Sequence, residues 1–379
     1  MYLLRNATVY APEKLGRRDV LIIGDAIAVV AENLTISLPG LETIDADGLI
    51  LTPGLIDQHI HVTGGGGEGG PVSRVPEISF SSLVSSGTTT VVGVLGTDSV
   101  TRSVHALLAK VRALAEEGLS GWMYTSNYAL PPSLLSGSVR NDIFLVSEVL
   151  GVKIAHADHR SSFPTVDEFM RILSDVRVGG MIAGKIGVLH VHMGALPDGF
   201  ALFREVVSRG MPIKHIRPSH CARDKALFAD AMAFNKEGGV IDITSGGTCF
   251  STPAEVIQTL INEKADMANV TMSTDGGGSI PRFDDKGDMI GLGTGSPSAN
   301  LRLIRELVCK NNLPLESVLP MVTRNVAANL GLAKKGAVAQ GMCADICCFT
   351  KDMELRHVMA KGRFLMRDAV QCVKGMFEE

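Results

Sequence analysis

The hydrophobic and polar positions follow one pattern through most of the chain. Between residue 53 and about residue 335, short apolar runs alternate with segments whose apolar residues recur every three or four positions. Short apolar runs rich in β-branched residues predict buried strands, and the longer periodicity predicts helices. The predicted strands are 55–61, 89–95, 121–126, 152–157, 188–192, 213–215 or slightly beyond, 240–243 and 270–273, and helices 100–117, 165–178, 198–208, 224–236 and 253–264 lie between them.

Strands that alternate with helices are typical of a parallel α/β fold. Eight strand–helix units spread over about 270 residues have the size of a (β/α)8 TIM barrel. We therefore predict a TIM barrel over residues 53–335.

The two ends of the chain show a different pattern, with strand-like runs and no convincing helix. These runs are 3–10, 19–23 and 26–31 near the start, and 343–349, 356–359 and 363–366 near the end. No Pro-rich linker or repeat separates them from the middle of the chain. Residues 1–52 and 336–379 are therefore predicted to form one small β-domain packed against the barrel.

Composition narrows the function classes. The chain has 379 residues, of which 45% are hydrophobic and 20% charged, and a formal net charge of −4. A slightly acidic chain without long runs of like charge is a poor candidate for binding nucleic acid or an anionic membrane. The first residues lack the apolar stretch of a signal peptide, so we expect a cytoplasmic protein.

The segment Asp57-Gln58-His59-Ile60-His61 carries the strongest chemical signal. Two histidines spaced i and i+2 on a strand project from the same face, so both imidazoles can reach one metal ion. Four glycines, Gly64 to Gly67, follow at once and favour a loop beside a ligand.

Other ligand-type residues lie at the ends of later predicted strands, where TIM barrels carry their functional groups. Lys153 lies in the fourth strand, His192 ends the fifth, His220 follows the sixth and Asp275 follows the eighth. A single histidine at a strand end is more often a core or surface group. With the His59–His61 pair, these residues fill five ligand-type positions in barrel order, which points instead to a metal centre.

The chain resembles the isoaspartyl dipeptidase family, in the binuclear branch of the amidohydrolase superfamily. The likeness runs nearly end to end, but the His-x-His pair alone would indicate only the superfamily. More specific are Gly64 to Gly67 followed by Glu68, the segment Asp158-His159-Arg160-Ser161, and Asp275-Gly276-Gly277-Gly278-Ser279.

This resemblance implies a centre of two divalent metal ions, with zinc suited to its imidazoles and manganese, cobalt or nickel as alternatives. The implied ligands are His59, His61 and Asp275 for the more buried metal, His192 and His220 for the more exposed one, and Lys153 bridging both. Because an ammonium has no lone pair, Lys153 would bind as a carbamate formed with carbon dioxide.

The resemblance also implies the catalytic roles and the substrate, a dipeptide with a β-linked aspartyl residue. A metal-bridging hydroxide would attack the scissile carbonyl. Asp275 would act as general base and then general acid, and Tyr128 would donate to the developing oxyanion. The implied substrate-binding residues are Glu68 for the α-amino group, Gly66, Thr97 and Ser279 for a carboxylate, and Arg160 and Arg223 for carboxylates.

Two other functions stay open at this point. A dihydroorotase-like or hydantoinase-like cyclic-amide hydrolase would keep every metal ligand but would not need Glu68 with a site for a C-terminal carboxylate. A scaffold without activity is disfavoured because all six ligand positions are filled. The resemblance further suggests a homo-oligomer, an octamer. His190 is interpreted as a neighbour that faces elsewhere or supports a ligand, and the turn at 283–287 as a rim element.

Overall fold

The computed structural model describes residues 1–247, 249–283 and 289–378. The strands in these ranges are β1 (Tyr2–Tyr10), β2 (Lys14–Ile23), β3 (Ala26–Ala31), β4 (Glu42–Asp45), β5 (Ile50–Pro53), β6 (Leu55–Ile60), β7 (Thr88–Gly93), β8 (Ser120–Thr125), β9 (Val149–His156), β10 (Val188–Met193), β11 (Ile216–Ser219), β12 (Ile241–Thr244), β13 (Val270–Ser273), β14 (Ser279–Phe283), β15 (Met289–Thr294), β16 (Ile346–Phe349), β17 (Leu355–Ala360), β18 (Arg363–Arg367) and β19 (Val370–Gln371).

The helices alternate with the central strands. They are α1 (Phe80–Ser85), α2 (Val104–Glu117), α3 (Val139–Leu145), α4 (Val166–Ala183), α5 (Ala201–Ser208), α6 (Lys225–Lys236), α7 (Pro253–Asn262), α8 (Ala299–Cys309), α9 (Leu315–Val318) and α10 (Arg324–Leu330). Within the described ranges, none has the length and apolar composition that a membrane span requires.

Strands β6 to β13 form the predicted barrel. β6 to β11 pair in parallel and in chain order, and β12 pairs in parallel with β13. Backbone bonds close the ring: Cys221 N–H donates to Asp242 O over 3.1 Å between β11 and β12, and Asp275 N–H donates to His59 O over 3.1 Å between β13 and β6. The prediction of a TIM barrel is confirmed.

Side chains at the helix starts explain why several helices begin where they do. Ser103, Thr165, Asp224 and Thr252 each accept a hydrogen bond from a backbone N–H in the first turn of α2, α4, α6 and α7. Such caps satisfy N–H groups that have no partner inside the helix. Each cap therefore ends a βα loop at a defined residue, which fixes the loops on the face that carries the ligand-type residues.

Both chain ends contribute to a second, mostly antiparallel sheet. Its order is β19-β18-β17-β16-β5-β1-β2-β3, with β4 paired to β1. The two ends meet where β16 pairs antiparallel with β5, with Cys348 opposite Leu51. This sheet has its own buried cluster, which includes Leu4, Val20 and Ile346. Strands from the two ends of the chain therefore pack into one core.

One predicted strand was placed wrongly. Residues 213–215 form a 3-10 turn, and the strand is β11, Ile216–Ser219. Pro218 lies within this strand, where proline is tolerated if its missing N–H is not needed. The rim turn predicted at 283–287 lies outside the described residues after position 283.

Candidate active site

Every ligand-type residue predicted from the sequence lies at the carboxyl end of a barrel strand. His59 is in β6 and His61 directly follows it, Lys153 is in β9, and His192 is in β10. His220 and Asp275 follow β11 and β13 in left-handed backbone conformations, with φ of 60° and 52°. This conformation is uncommon for residues other than glycine and is characteristic of functional strand ends.

One group of ligand atoms surrounds Asp275. Its Oδ1 lies 3.4 Å from His59 Nε2 and 3.2 Å from His61 Nε2. The ligand atoms of these three residues all lie within 4.8 Å of one another, and Asp275 Oδ1 is buried without a hydrogen-bond partner among the described residues. A carboxylate oxygen left unpaired beside two imidazoles fits a bound cation.

A second pair of imidazoles lies beside the first group. The rings of His192 and His220 are 4.5 Å apart between centroids, and the ring of His220 is 4.8 Å from that of His59. His220 Nδ1 contacts Thr244 Oγ1 at 2.6 Å, whereas its Nε2 is buried and has no partner in the part of the chain that the structure describes. Nε2 is therefore the nitrogen of His220 that fits a metal ion.

The imidazoles are held in their neutral form. Burial keeps the pKa of His59, His192 and His220 well below the ordinary value, and it also lowers the pKa of His61. A neutral imidazole has the lone pair that a metal ion requires. The donor set therefore fits one or two divalent cations.

His190 supports the centre. Its Nε2 lies 2.8 Å from His59 Nδ1, and its ring stacks on Tyr124 with centroids 4.6 Å apart. A partner on Nδ1 of a metal-binding histidine fixes the orientation of the ring and leaves Nε2 for the metal. Of the two interpretations from the sequence, the structure favours support of a ligand.

Lys153 is fully buried, and within residues 1–247, 249–283 and 289–378 no carboxylate forms an ion pair with it. Its Nζ lies 3.2 Å from His59 Nε2 and 5.2 Å from the centroid of the Tyr128 ring. Burial lowers the pKa of Lys153 to about 7, although Asp275 opposes this shift. A substantial fraction of the amine is therefore neutral near pH 7, and the neutral amine is the form that reacts with carbon dioxide.

Asp275 is ionised in this site. Burial alone would raise its pKa, but attraction to His220 and His61, at the low pH where these imidazoles take up protons, outweighs burial and lowers the pKa of Asp275 to about 2. Asp275 therefore stays ionised when the imidazoles are neutral. Gly278 makes room for the carboxylate, because a Cβ at this position would lie 2.6 Å from Asp275 Oδ1.

Tyr128 closes one side of the site. Its hydroxyl lies 2.7 Å from His192 Nδ1. Burial raises the pKa of Tyr128 far above its ordinary value, so the phenol keeps its proton and can donate it in a hydrogen bond.

The loop that follows His61 presents Glu68 to the cavity. Glu68 Oε1 accepts hydrogen bonds from Thr97 Oγ1 at 3.1 Å and Ser279 Oγ at 2.9 Å. The sequence assigned these two hydroxyls to a substrate carboxylate, but here they bind Glu68. Oε2 of Glu68 takes part in none of these bonds.

Only one of the four loop glycines has an N–H available to a ligand. The N–H groups of Gly64, Gly65 and Gly67 donate to backbone carbonyls of the protein. The N–H of Gly66 has no hydrogen-bond partner among the described residues. Of the backbone N–H groups expected to bind a carboxylate, that of Gly66 is therefore the one that can donate to a ligand.

Arg160 and Arg223, predicted to bind carboxylates, both line the cavity. The Nε and Nη2 edge of Arg160 is occupied by Asp158, over 2.9 and 2.8 Å, and its Nη1 donates to Glu68 Oε1 over 3.1 Å. Arg223 Nε is buried without a partner among the described residues. Arg223 is therefore the less committed of the two cations.

These residues line a narrow cavity at the carboxyl ends of the strands. Its lining residues are His61, Gly66, Glu68, Gly96, Tyr128, Arg160, His192, Arg223, Asp275, Gly278 and Ser279. Thr97 joins the cavity through its bond to Glu68, and His59, Lys153 and His220 are buried behind the lining. The predicted site residues thus lie together at one place.

Sequence reasoning missed the part played by Asp158. Its carboxylate binds Arg160 and lies 3.2 Å from His192 Nε2, and these two partners outweigh burial and hold its pKa well below the usual range. The available signal was its position two residues before Arg160 and just after β9.

Comparison with known proteins shows which family the chain belongs to. The model of the amidohydrolase family matches residues 50–365. The chain belongs to the amidohydrolase family. This amidohydrolase is similar to the β-aspartyl dipeptidase of Fervidobacterium islandicum AW-1, solved in complex with a β-Asp-Leu dipeptide, with 42% identity, a TM-score of 0.92 and 98% of each chain covered.

Other relatives are more distant or match a smaller part. A dihydropyrimidinase from Brevibacillus agri NCHU1002 has a TM-score of 0.70 at 16% identity, with 99% of this chain and 96% of that one covered, and shares the fold. A dihydroorotase from Lactobacillus johnsonii is 43% identical over 58 residues, which are 15% of this chain and 13% of that protein. The chain therefore spans only about an eighth of that dihydroorotase.

Proposed function

We propose that this amidohydrolase is a metal-dependent dipeptidase that hydrolyses β-aspartyl (isoaspartyl) dipeptides. The observation that carries this proposal is the 42% identity over 98% of both chains to a β-aspartyl dipeptidase solved with β-Asp-Leu. The cavity described above supports it, since that cavity carries groups of both charges beside a cluster of metal-ligand type.

A β-aspartyl dipeptide carries three charges, and the cavity offers a partner for each. Glu68 presents a carboxylate for the α-ammonium group, and its Oε2 takes part in none of the bonds to Thr97, Ser279 and Arg160. Arg223 and the Nη1 side of Arg160 present guanidinium groups for the two carboxylates. Gly66 adds a backbone N–H, and its positive φ of 85° together with the close approach of Ser73 O requires glycine at this position.

The buried donors would hold two divalent cations, zinc by the chemistry of four imidazoles. His59, His61 and Asp275 would hold one, His192 and His220 the other, and Lys153 both as a carbamate. Bound there, the cations would polarise the scissile carbonyl and lower the pKa of a water molecule toward neutrality.

Two side chains would then transfer the proton and stabilise the developing negative charge. Asp275, ionised and with Oδ1 unpaired, would accept a proton from the attacking water and pass it to the leaving nitrogen. Tyr128, whose hydroxyl stays protonated, would donate a hydrogen bond to the oxyanion that forms on the carbonyl carbon. Arg160 and Glu68 would hold the substrate while this occurs.

Steady-state hydrolysis on zinc-loaded protein prepared with bicarbonate tests the proposal. We expect cleavage of β-aspartyl-leucine and none of α-aspartyl-leucine, because only the β-linked substrate places its amino group and carboxylate on one carbon at the Glu68 end. Glu68→Gln keeps the size of this side chain and removes its charge, so it should reduce kcat/KM strongly.

Turnover of dihydroorotate without cleavage of β-aspartyl-leucine would favour the cyclic-amide hydrolase instead, and inactivity on all three substrates with metal bound would favour a scaffold. A cytoplasmic location and an octameric assembly stay predictions, which fractionation of the source cells and analytical ultracentrifugation can test.

A further inference from the structure

Asp158 lies in the loop after β9 and has no part in the function proposed so far. The side chain is buried, with 4% of the residue exposed. A buried carboxylate is stable only when donors satisfy it. The groups around Asp158 therefore reveal what holds it there and what it holds in turn.

Both oxygens of Asp158 are engaged. Oδ1 accepts from the backbone N–H of Arg160 over 2.8 Å and from Arg160 Nε over 2.9 Å. Oδ2 accepts from Arg160 Nη2 over 2.8 Å and lies 3.2 Å from His192 Nε2. One carboxylate thus contacts both a cation that lines the cavity and an imidazole of metal-ligand type.

The contact with Arg160 fixes the direction of the guanidinium. With Nε and Nη2 held by Asp158, Nη1 points to Glu68 and the cavity. A bidentate pair of this kind sets orientation as well as adding energy. Without Asp158, nothing on its Nε and Nη2 side would hold the long Arg160 side chain in this rotamer.

His192 Nε2 lies 3.2 Å from Asp158 Oδ2 and also 3.2 Å from Arg160 Nη2. An ionised carboxylate can only accept, so in the bond to Asp158 the proton resides on His192 Nε2. The lone pair then lies on Nδ1, which faces the Tyr128 hydroxyl at 2.7 Å. A carboxylate on the second nitrogen of a metal-binding histidine is a recurring way to orient it.

We propose that Asp158 is a positioning residue that couples recognition of the substrate carboxylate by Arg160 to metal binding by His192. The coupling rests on the proposed function for its substrate half and on the buried donor set for its metal half. Asp158→Asn weakens it with little change in shape. The charge is lost and only one acceptor oxygen remains, so the side chain can no longer accept on both sides as Asp158 does.

The test measures zinc binding and kinetics separately. Zinc affinity is determined by competition with a chromophoric chelator, and kcat and KM are determined with β-aspartyl-leucine. For Asp158→Asn we expect zinc affinity at the weaker of two sites to fall about 10- to 100-fold, together with a rise in KM. Arg160→Ala should raise KM and leave zinc affinity near that of the unmodified protein.

Two further variants keep the result interpretable. Asp158→Glu restores the charge and both acceptors, so it should recover part of the zinc affinity even if Asp158→Asn is poorly folded by circular dichroism. His159→Ala is the matched control, since the His159 side chain is 82% exposed although its Nδ1 lies 3.4 Å from Asp158 Oδ1. It should change neither quantity.

Unchanged zinc affinity or unchanged KM in well-folded Asp158→Asn would overturn the coupling. An equal loss of zinc affinity in Arg160→Ala would also overturn it, because Arg160 would then orient His192. If the unmodified protein fails to cleave β-aspartyl-leucine, the proposed function fails, while the zinc measurement still decides the role of Asp158 toward His192.

Discussion

Lys153→Met should stabilise the metal-free protein at low pH while it abolishes activity. Lys153 is fully buried, and its Nζ has His59 Nε2 as its near partner, at 3.2 Å. Below pH 7 the folded protein must therefore bury an ammonium group without an ion pair, which is unfavourable. Methionine has a similar length and no charge, so the substitution removes that cost.

The magnitude follows from the shift in pKa. Burial lowers the pKa of Lys153 from 10.5 to about 7, and a shift of this size corresponds to about 5 kcal/mol at about 1.4 kcal/mol per pH unit. Methionine also loses the attraction between Lys153 and Asp275, which offsets part of the gain. We expect the variant to unfold at higher urea concentration than the unmodified protein at pH 6.

The change of stability with pH has the opposite sign to that caused by a lysine in an ion pair, whose pKa is raised on folding. Between pH 7 and 10.5 the unfolded chain keeps the Lys153 proton and the folded protein releases it, so stability rises with pH. From pH 7 to pH 9 the unmodified protein should gain about 2 kcal/mol relative to the variant. Below pH 7 both states carry the proton, so the difference between the two proteins should level off.

Urea unfolding of chelated protein in buffer free of carbon dioxide, at pH 6, 7, 8 and 9, measures this difference. Lys351→Met is the control, because Lys351 is exposed and should leave the pH dependence unchanged. A difference between Lys153→Met and the unmodified protein that stays constant from pH 6 to pH 9 would refute the reasoning, as would an unmodified protein that is the more stable at pH 6.

The other predictions concern activity and metal content. Tyr128→Phe removes the hydroxyl that faces His192 Nδ1. In steady-state kinetics it should lower kcat by about 100-fold or more and change KM little. A normal kcat would exclude Tyr128 as the oxyanion donor. Gly278→Ala places a Cβ 2.6 Å from Asp275 Oδ1 and should reduce bound zinc per chain, measured by atomic absorption, whereas Gly291→Ala, where a Cβ meets nothing within 4 Å, should not. Removal of metal by a chelator should abolish activity, and zinc with bicarbonate should restore it faster than zinc alone; equal recovery would argue against a carbamate on Lys153.

The barrel and the residue types of the site were predictable from the sequence because the signals are local. Alternation along one strand places His59 and His61 on the same face whatever the rest of the chain does. The βα alternation orders the later strands, so Lys153, His192, His220 and Asp275 fall at strand ends on one side of the barrel. The exception was the sixth strand, which was predicted at 213–215 or slightly beyond and lies at Ile216–Ser219.

The tertiary structure decided the environment of those residues. That Asp158 contacts His192, or that His190 contacts His59 across the barrel, depends on distances between strands far apart in sequence. The same holds for Lys153, whose pKa is lowered because the closed barrel excludes water from its amine. The sequence by itself determined which donors face the barrel end. Only the packed fold determined their partners, tautomers and charge, because burial and hydrogen bonding are properties of the surroundings and not of the residue.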